Sequence, residues 1–162
     1  MLVLFAGVAG SVYAFAANGA QAAGTANNFL QSQAQVRAAL DNIVDETRWA
    51  QSVTAASATA FTLSVPQNTP FSVGPYTVTF AYDPINQVVT RSQNGGLPVR
   101  LAYLIAGSGG TTGLTFSYFD AGGAALGSAP SNLGAIARVR INVSSTSGAV
   151  TRTLAGDTAL RY

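Results

Sequence analysis

The side chains that usually carry out catalysis are scarce in this chain. Its 162 residues include no histidine, lysine or cysteine, so the common general bases, nucleophiles and soft metal ligands are missing. Six carboxylates and eight arginines remain. Asp45 and Glu46 are neighbours on a predicted helix and diverge there, so they do not form an acid–base pair. The sequence therefore predicts a protein that is not an enzyme and has no cofactor.

The other acidic residues also favour structural roles. Asp83 and Asp120 occur in turn sequences, where aspartate forms local hydrogen bonds. A Ca²⁺ site needs several clustered oxygen ligands, and the C-terminal loops offer only Asp120 and Asp157, so no metal site is predicted. The glycine loop 107–110 is not followed by Lys-Ser/Thr and is not a phosphate loop. Asn142-Val143-Ser144 matches a glycosylation acceptor, but it falls within a predicted strand, which favours an unmodified asparagine.

The arginines offer one candidate contact with nucleic acid. Arg138 and Arg140 share a face of a predicted strand, and with Arg91 and Arg100 they would contact DNA phosphates if the four converged. The eight arginines are nevertheless scattered and the net charge is only +2, whereas a nucleic-acid footprint needs a patch. The sequence favours isolated surface pairs. Trp49 is expected to be a core or interface anchor.

The elements that position these residues begin with a segment that has no charged side chain before Arg37. Residues 1–17 are almost wholly apolar, and residues 18–28 are small or amidic. A helix that is apolar on all sides must be covered by lipid, by a large core or by other copies of itself. The run is short for a membrane span, which needs about 20 residues. A signal peptide is the second alternative, because the small residues at 14–16 resemble a cleavage site, but the basic N-terminal region of a signal peptide is missing. The third alternative is that it continues into the next helix.

From Phe29 the apolar residues follow a helical period. They are Phe29, Val36, Leu40, Ile43, Val44, Ala50 and Val53. No proline occurs before Pro66, so the sequence predicts one long helix over about 1–54. Gly19 and Gly24 each cost about 1 kcal/mol relative to alanine, and we predict a soft spot that is melted or bent at 18–28.

After Ala60 the pattern changes to the strand period of two. The predicted strands are 61–65 and 114–120, and a hairpin is predicted at 76–92. Residues 99–106 are predicted to form a strand or an irregular segment. A strand at 135–145 is predicted to pair with one at 149–155. The predicted fold class is α+β, with a long N-terminal α-helix and an antiparallel β-sheet head packed on its C-terminal half. The predicted domains are an apolar helix segment, 1–28, and a globular head, 29–162, comprising the amphipathic helix 29–54 and the sheet 60–160.

The order and spacing of several stretches resemble one family. Its helix end and first strand resemble QAQVRAALDNIVDETRWAQSV followed by ASATAFTLSV. The family is that of the type IV pilins and type II secretion pseudopilins, in particular the larger pseudopilins lettered J or W. YTVTFAYDPINQVVTRS is similar to their first hairpin, GLTFSYFDAGG to their central strand and turn, and IARVRINVS with TRTLAGDTALRY to their closing strands. The resemblance covers nearly the whole chain.

One position departs from the family. Its mature chains usually have glutamate at the fifth position, where this sequence has Phe5, and no carboxylate occurs before Asp41. Either the sequence starts a few residues inside the mature protein, or this member lacks that glutamate, as some tip pseudopilins and archaeal pilins do.

The resemblance implies a structural subunit of an extracellular pilus-like filament. Subunits would be inserted in the inner or cytoplasmic membrane first, and pilus assembly machinery would then stack identical copies into a helical homo-oligomer at the cell surface. The expected filament-core residues are Leu2, Val3, Leu4, Phe5, Val8, Val12, Tyr13 and Phe15. Two alternatives are a minor or tip pseudopilin of a type II secretion or DNA-uptake machine, and a monomeric membrane-anchored binding domain.

Overall fold

A computed structural model describes residues 2–103, 113–147 and 150–160. Helix α1 comprises Leu2–Arg48. Its side chains are described at most positions from Asn18 onward. The helix ends in a tightened turn, because the amides of Trp49 and Ala50 donate to the carbonyls of Glu46 and Thr47 at 3.2 and 3.1 Å. The Gln51 amide then donates to the Ser64 carbonyl at 2.8 Å, which starts the first strand pairing.

The first sheet is a five-stranded antiparallel meander. Its strands lie in chain order, β1-β2-β3-β4-β5. Their bounds are β1 Ser52–Ala56, β2 Ala60–Val65, β3 Tyr76–Asp83, β4 Val88–Gln93 and β5 Val99–Tyr103. The β3–β4 turn is fixed by Asp83, whose Oδ1 accepts the amides of Ile85 and Asn86 at 2.9 and 3.1 Å. The Asn86 side chain also donates from Nδ2 to Asp83 Oδ2 at 2.6 Å. This side-chain bond contributes most, together with the amide bonds, to holding the pKa of the Asp83 carboxyl below its ordinary value.

The second sheet has four antiparallel strands in the order β7-β6-β8-β9. Their bounds are β6 Leu114–Phe119, β7 Ala125–Gly127, β8 Arg138–Ser147 and β9 Val150–Ala159, and a short 3-10 helix, Leu133–Ala135, precedes β8. Buried and partly buried residues alternate along β6 and along β8 as far as Ser145. One face of this sheet therefore joins the core and the other faces outward.

The core is enclosed by both sheets and the C-terminal part of the helix. Phe61 of the first sheet lies 4.4 Å from Phe116 of the second, measured between ring centroids. The Phe116 amide donates to the Ala58 carbonyl at 2.8 Å, which joins the sheets at this border. On the other side, α1 contacts β5 of the first sheet and β8 and β9 of the second. The helix thus closes the gap between the two sheets.

The predicted fold class is wrong. The described fold is mostly antiparallel β, in two sheets rather than one, and it is not organised around a long N-terminal helix. The helical part that belongs to this packed fold is short, Gln33–48. Described side chains of α1 between Asn18 and Gln31 are exposed, and burial begins only with Gln33. Hydrophobic patterning placed the start of the amphipathic stretch at residue 29, whereas the first fully buried side chain described in the helix is Val36. The glycine- and amide-rich residues before it supply no apolar face for a sheet to cover.

The helix also ends before the predicted residue 54. Val53 fits the helical period, but it lies in β1 opposite Leu63 of β2. Its β-branched side chain suits a strand, and pairing with β2 takes precedence over the helical pattern.

Several predicted strands are confirmed. Residues 61–65 lie within β2, and the hairpin 76–92 is formed by β3 and β4. Residues 114–120 correspond to β6, in which Leu114, Phe116 and Tyr118 are buried. The pairing of 135–145 with 149–155 is confirmed by β8 and β9, although β8 begins at Arg138. The predicted segment 99–106 is a strand up to Tyr103, and the rest of it lies outside the described residues. Strands β1 and β7 were not predicted.

Candidate functional site

A cluster of polar side chains joins the end of the helix to the first sheet. Glu46 lies in the last turn of α1, Tyr76 begins β3 and Arg91 is in β4. The Glu46 carboxylate accepts Arg91 Nε on Oε2 at 2.8 Å and Arg91 Nη2 on Oε1 at 2.6 Å. Oε1 also accepts the Tyr76 hydroxyl at 2.6 Å. The Glu46 side chain is only 3% exposed, so the charge is compensated inside the fold.

The electrostatics of this cluster oppose proton transfer. Burial and the hydrogen bond to Glu46 raise the pKa of the Tyr76 hydroxyl well above its ordinary value. The hydrogen bond to Glu46 likewise raises the pKa of Arg91. Both donors therefore hold their protons at neutral pH, and both carboxylate oxygens are occupied. The arrangement lacks the exchangeable proton that acid–base catalysis requires, and its role is to hold the helix end against β3 and β4.

Sequence reasoning did not find this cluster, although a signal was available. Glu46 is adjacent to Asp45 in the sequence. It stands three residues after Ile43 and ten after Val36, which places it on the buried face of the helix. A carboxylate on that face requires a charged or hydrogen-bonding partner, and arginine is the only basic residue type in the chain. The identity of the partner depended on the strand pairing, which the helix pattern does not contain.

The predicted nucleic-acid contacts Arg138 and Arg140 both lie close to the aromatic ring of Phe119. Their guanidinium carbons are 4.5 and 5.3 Å from the Phe119 ring centroid. Asp157 on β9 accepts Arg140 Nε at 3.0 and 3.2 Å and Nη2 at 3.0 Å, which raises the pKa of Arg140. Contact with nucleic acid stays a prediction, and the ion pair with Asp157 reduces the positive charge available for it.

The other two arginines of that hypothesis lie in the first sheet. Arg91 is engaged with Glu46, and Arg100 lies over the Tyr103 ring at 4.0 Å. The four residues are thus divided between two sheets, and one of them, Arg91, is 24% exposed and paired with Glu46. Convergence of the four arginines on one surface stays a prediction.

A pocket of about 380 Å³ opens beside Arg138. The β6–β7 turn forms one wall, and the ends of β8 and β9 form another. Asp120 and Arg138 supply its charged side chains, and the remaining lining residues are Ala121, Gly122, Gly123, Ala137 and Ala159. Gly123 has a positive φ of 84°, which glycine adopts without the steric penalty of other residues. The predicted turn at 120–123 is confirmed and forms the rim of this pocket.

The carboxylates Asp120 and Asp157 both form local contacts. Asp120 Oδ1 accepts the Ala124 amide at 2.8 Å, and Asp157 is paired with Arg140. Within the described ranges no three potential metal ligands come together. Asn142 lies within β8, hydrogen-bonded between β6 and β9. The glycine loop 107–110 lies outside the described residues.

The predicted filament-core residues stand in the part of α1 whose side chains the structure does not describe. They are Leu2, Val3, Leu4, Phe5, Val8, Val12, Tyr13 and Phe15. Gly19 and Gly24 lie further along on exposed helix, and a Cβ atom at either would meet no atom within 4 Å. Packing therefore does not require glycine at these positions. The predicted soft spot at 18–28 stays a prediction.

Large apolar side chains are exposed at the end of the head where the helix terminates. Trp49 follows the helix directly and is 39% exposed, so it is not the core anchor that was one of its two predicted roles. Val73, in the β2–β3 loop, is 83% exposed, and Leu97, in the β4–β5 loop, is 91% exposed. Both loops lie at this end because β2 ends and β3 begins opposite the β4–β5 turn. An interface role for Trp49 stays a prediction.

Among the described residues, no helix is long and apolar enough to cross a membrane. The chain matches no protein-family model and no curated protein sequence. The function is therefore inferred from the chain's own residues.

Proposed function

We propose that the chain is a structural subunit of an extracellular pilus-like filament, as in the type IV pilin family, and that it polymerises through its charge-free N-terminal segment. The observation that carries the proposal is the division of the chain at Gln33. From Gln33 onward the chain packs into a head with its own core. Before it, the described side chains from Asn18 to Gln31 are exposed, and the sequence of 1–17 is almost wholly apolar.

The apolar N-terminal segment needs a surface that covers it. An apolar sequence without a charged side chain is unstable in water and needs an apolar environment. Identical segments from neighbouring copies can supply that environment. Small residues allow helices to approach closely, and Ala6, Gly7, Ala9 and Gly10 provide them in the middle of the segment. A head-to-tail contact that does not close into a ring generates a helical filament.

The head also offers a surface beside the place where the segment leaves it. A groove of about 490 Å³ lies between the helix and β9, lined by Gln33, Ala34, Arg37, Ala38, Asp41 and Leu154. Arg37 and Asp41 are four residues apart and bring both charge signs to it. A neighbouring copy with a neutral, amide-rich stretch at 18–28 meets no charge repulsion there, which suits close packing in a filament.

The proposal is tested on material sheared from the surface of cells that produce the full chain. Electron microscopy with gold-labelled antibody against the head should show helical fibres labelled along their length. Recovery of the chain only as a monomer in the membrane fraction would contradict the proposal and favour a membrane-anchored binding domain. Label confined to fibre tips would also contradict it and favour a minor or tip pseudopilin. Membrane insertion before assembly and handling by assembly machinery remain predictions.

A further inference from the structure

We propose that the pocket at the β6–β7 turn binds a carboxylated sugar, a uronic acid residue, with Arg138 binding the carboxylate and Asp120 accepting a hydrogen bond from a neighbouring hydroxyl. The pocket volume of about 380 Å³ lies within the range of about 300–1,000 Å³ typical of small-molecule sites. The inference does not depend on the proposed filament function.

Arg138 is the cation with vacant donors in this region. Its guanidinium lies 4.5 Å from the Phe119 ring centroid, and it forms no hydrogen bond or ion pair with any residue that the structure describes. Contact with an aromatic ring restricts the position of the guanidinium. A fixed planar fork of N–H groups matches the two oxygens of a carboxylate. Arg140, over the same ring, is already occupied by Asp157.

Asp120 is the acidic side chain among the residues that line the pocket. Its Oδ1 accepts the Ala124 amide at 2.8 Å, and its carbonyl accepts the Gly123 amide at 3.1 Å. These bonds fix the carboxylate, while Oδ2 has no hydrogen-bond partner among the described residues. An ionised carboxylate can only accept hydrogen bonds. It therefore favours a ligand that presents hydroxyl or amino donors.

The combined charge of the pocket selects the ligand class. One cation and one anion give a nearly neutral site, which suits a polyphosphate poorly because phosphate recognition depends on accumulated positive charge. It suits a molecule with one carboxylate beside hydrogen-bond donors. The alanine and glycine walls leave room for a sugar ring and its hydroxyls. An amino acid shares the carboxylate and donor but would leave most of the volume to water.

Isothermal titration calorimetry on the full chain tests the ligand class. The probes are sodium D-glucuronate, D-glucose, sodium acetate and L-alanine. We expect saturable binding of glucuronate with one site per chain and at least about tenfold weaker binding of the other three, because each lacks one of the matched groups or the ring. Undetectable glucuronate binding at millimolar concentration would overturn the proposal. Equal affinity for acetate or alanine would overturn the assignment to a sugar.

Two variants test the assigned residues. Arg138→Gln should weaken glucuronate binding by about tenfold or more, since a charge-assisted pair is lost. Arg100→Gln is the matched control, because Arg100 also stacks on an aromatic ring but does not line this pocket, and its affinity should equal that of the unmodified chain. Equal affinities for Arg138→Gln and the unmodified chain would contradict the proposal.

Asp120→Asn is a second, independent test of the proposal if Arg138→Gln fails to fold. Asparagine keeps an oxygen for the Ala124 amide, so the turn is retained. The preference for glucuronate over acetate should fall at least about threefold, because an amide oxygen accepts a hydroxyl less strongly than a carboxylate does. An unchanged preference would exclude Asp120 from the site. Thermal melting of each variant checks that it is folded.

Discussion

Glu46 is the side chain on which the join between helix and sheet depends. It connects one helix and two strands through three hydrogen bonds, and its burial makes each of them costly to lose. Its neighbour Asp45 is exposed and forms an ion pair with Arg48, at 3.4 Å. Two adjacent carboxylates thus have different roles because they point to different faces of the helix.

Glu46→Gln should lower the free energy of unfolding by about 3–5 kcal/mol, because it leaves the largely buried Arg91 cation without its counter-charge. Denaturant unfolding measures the change. Asp45→Asn is the matched control and should cost about 0–1 kcal/mol, since exposed pairs contribute little. In a double-mutant cycle, Glu46→Gln with Arg91→Gln should cost less than the sum of the single changes. Equal losses for Glu46→Gln and Asp45→Asn would contradict this account.

Two buried tyrosines predict a loss of stability in alkali. Burial raises the pKa values of Tyr76 and Tyr118 above the ordinary value of about 10. Above pH 10 the unfolded chain releases these protons while the folded chain keeps them, so the folded state binds more protons and its stability falls as the pH rises. Each tyrosine contributes a slope of about 1.4 kcal/mol per pH unit.

The combined variant Tyr76→Phe/Tyr118→Phe should therefore lose stability less steeply than the unmodified chain above pH 10. Below pH 9 the two curves should run parallel, because both tyrosines are then protonated in the folded and unfolded states. Urea unfolding at a series of pH values gives both slopes. Identical slopes above pH 10 would show that these two hydroxyls do not remain protonated in the fold.

The packing of α1 against β9 depends on a close approach at Gly156. A Cβ atom at this position would lie 3.0 Å from Val44 Cγ2 and 3.1 Å from Leu40 Cδ1. Gly156 lies opposite Ile141 of β8 on the inner face of the second sheet. The helix can therefore approach this sheet closely only where the strand has no side chain.

Gly156→Ala should destabilise the fold by about 1–3 kcal/mol, because Leu40 and Val44 must shift within a packed interface. Thermal unfolding measures the effect. Gly74→Ala is the matched control: a Cβ atom there meets nothing within 4 Å, and we expect unchanged or slightly higher stability. A Gly156→Ala protein as stable as the control would mean that the interface has room for a methyl group.

Local patterns were sufficient to predict most of the strands and insufficient to predict their arrangement. Alternation along 114–120 identified the buried face of β6, and the turn residues at Asp83 identified the β3–β4 hairpin. Val53 fits both a helix and a strand, and only its pairing with Leu63 decides between them. Division into two sheets depends on long-range contacts such as Phe61 with Phe116, which no local period encodes. The Glu46–Arg91 pair and the Arg138 pocket needed the same long-range information.

The whole molecule combines a self-contained head with an N-terminal segment that this head does not cover at the described positions from Asn18 to Gln31. The head has a continuous apolar core reaching from Val36 to Leu160, so it can remain folded whatever the segment contacts. The exposed apolar side chains at its other end, Val73 and Leu97 among them, lie away from the segment. We propose that the head forms the outer surface of a filament and that the segments form its centre.

The effect of Val8→Asp on filament formation tests this proposal most directly. A carboxylate in the apolar centre of the proposed filament would be unpaired and would cost several kcal/mol per subunit, so filaments counted by electron microscopy of sheared material should disappear. The head should melt at an unchanged temperature. Ile85→Asp, at a turn residue that is 90% exposed, is the matched control and should preserve filaments. Filaments of Val8→Asp as abundant as those of Ile85→Asp would contradict assembly through the N-terminal segment.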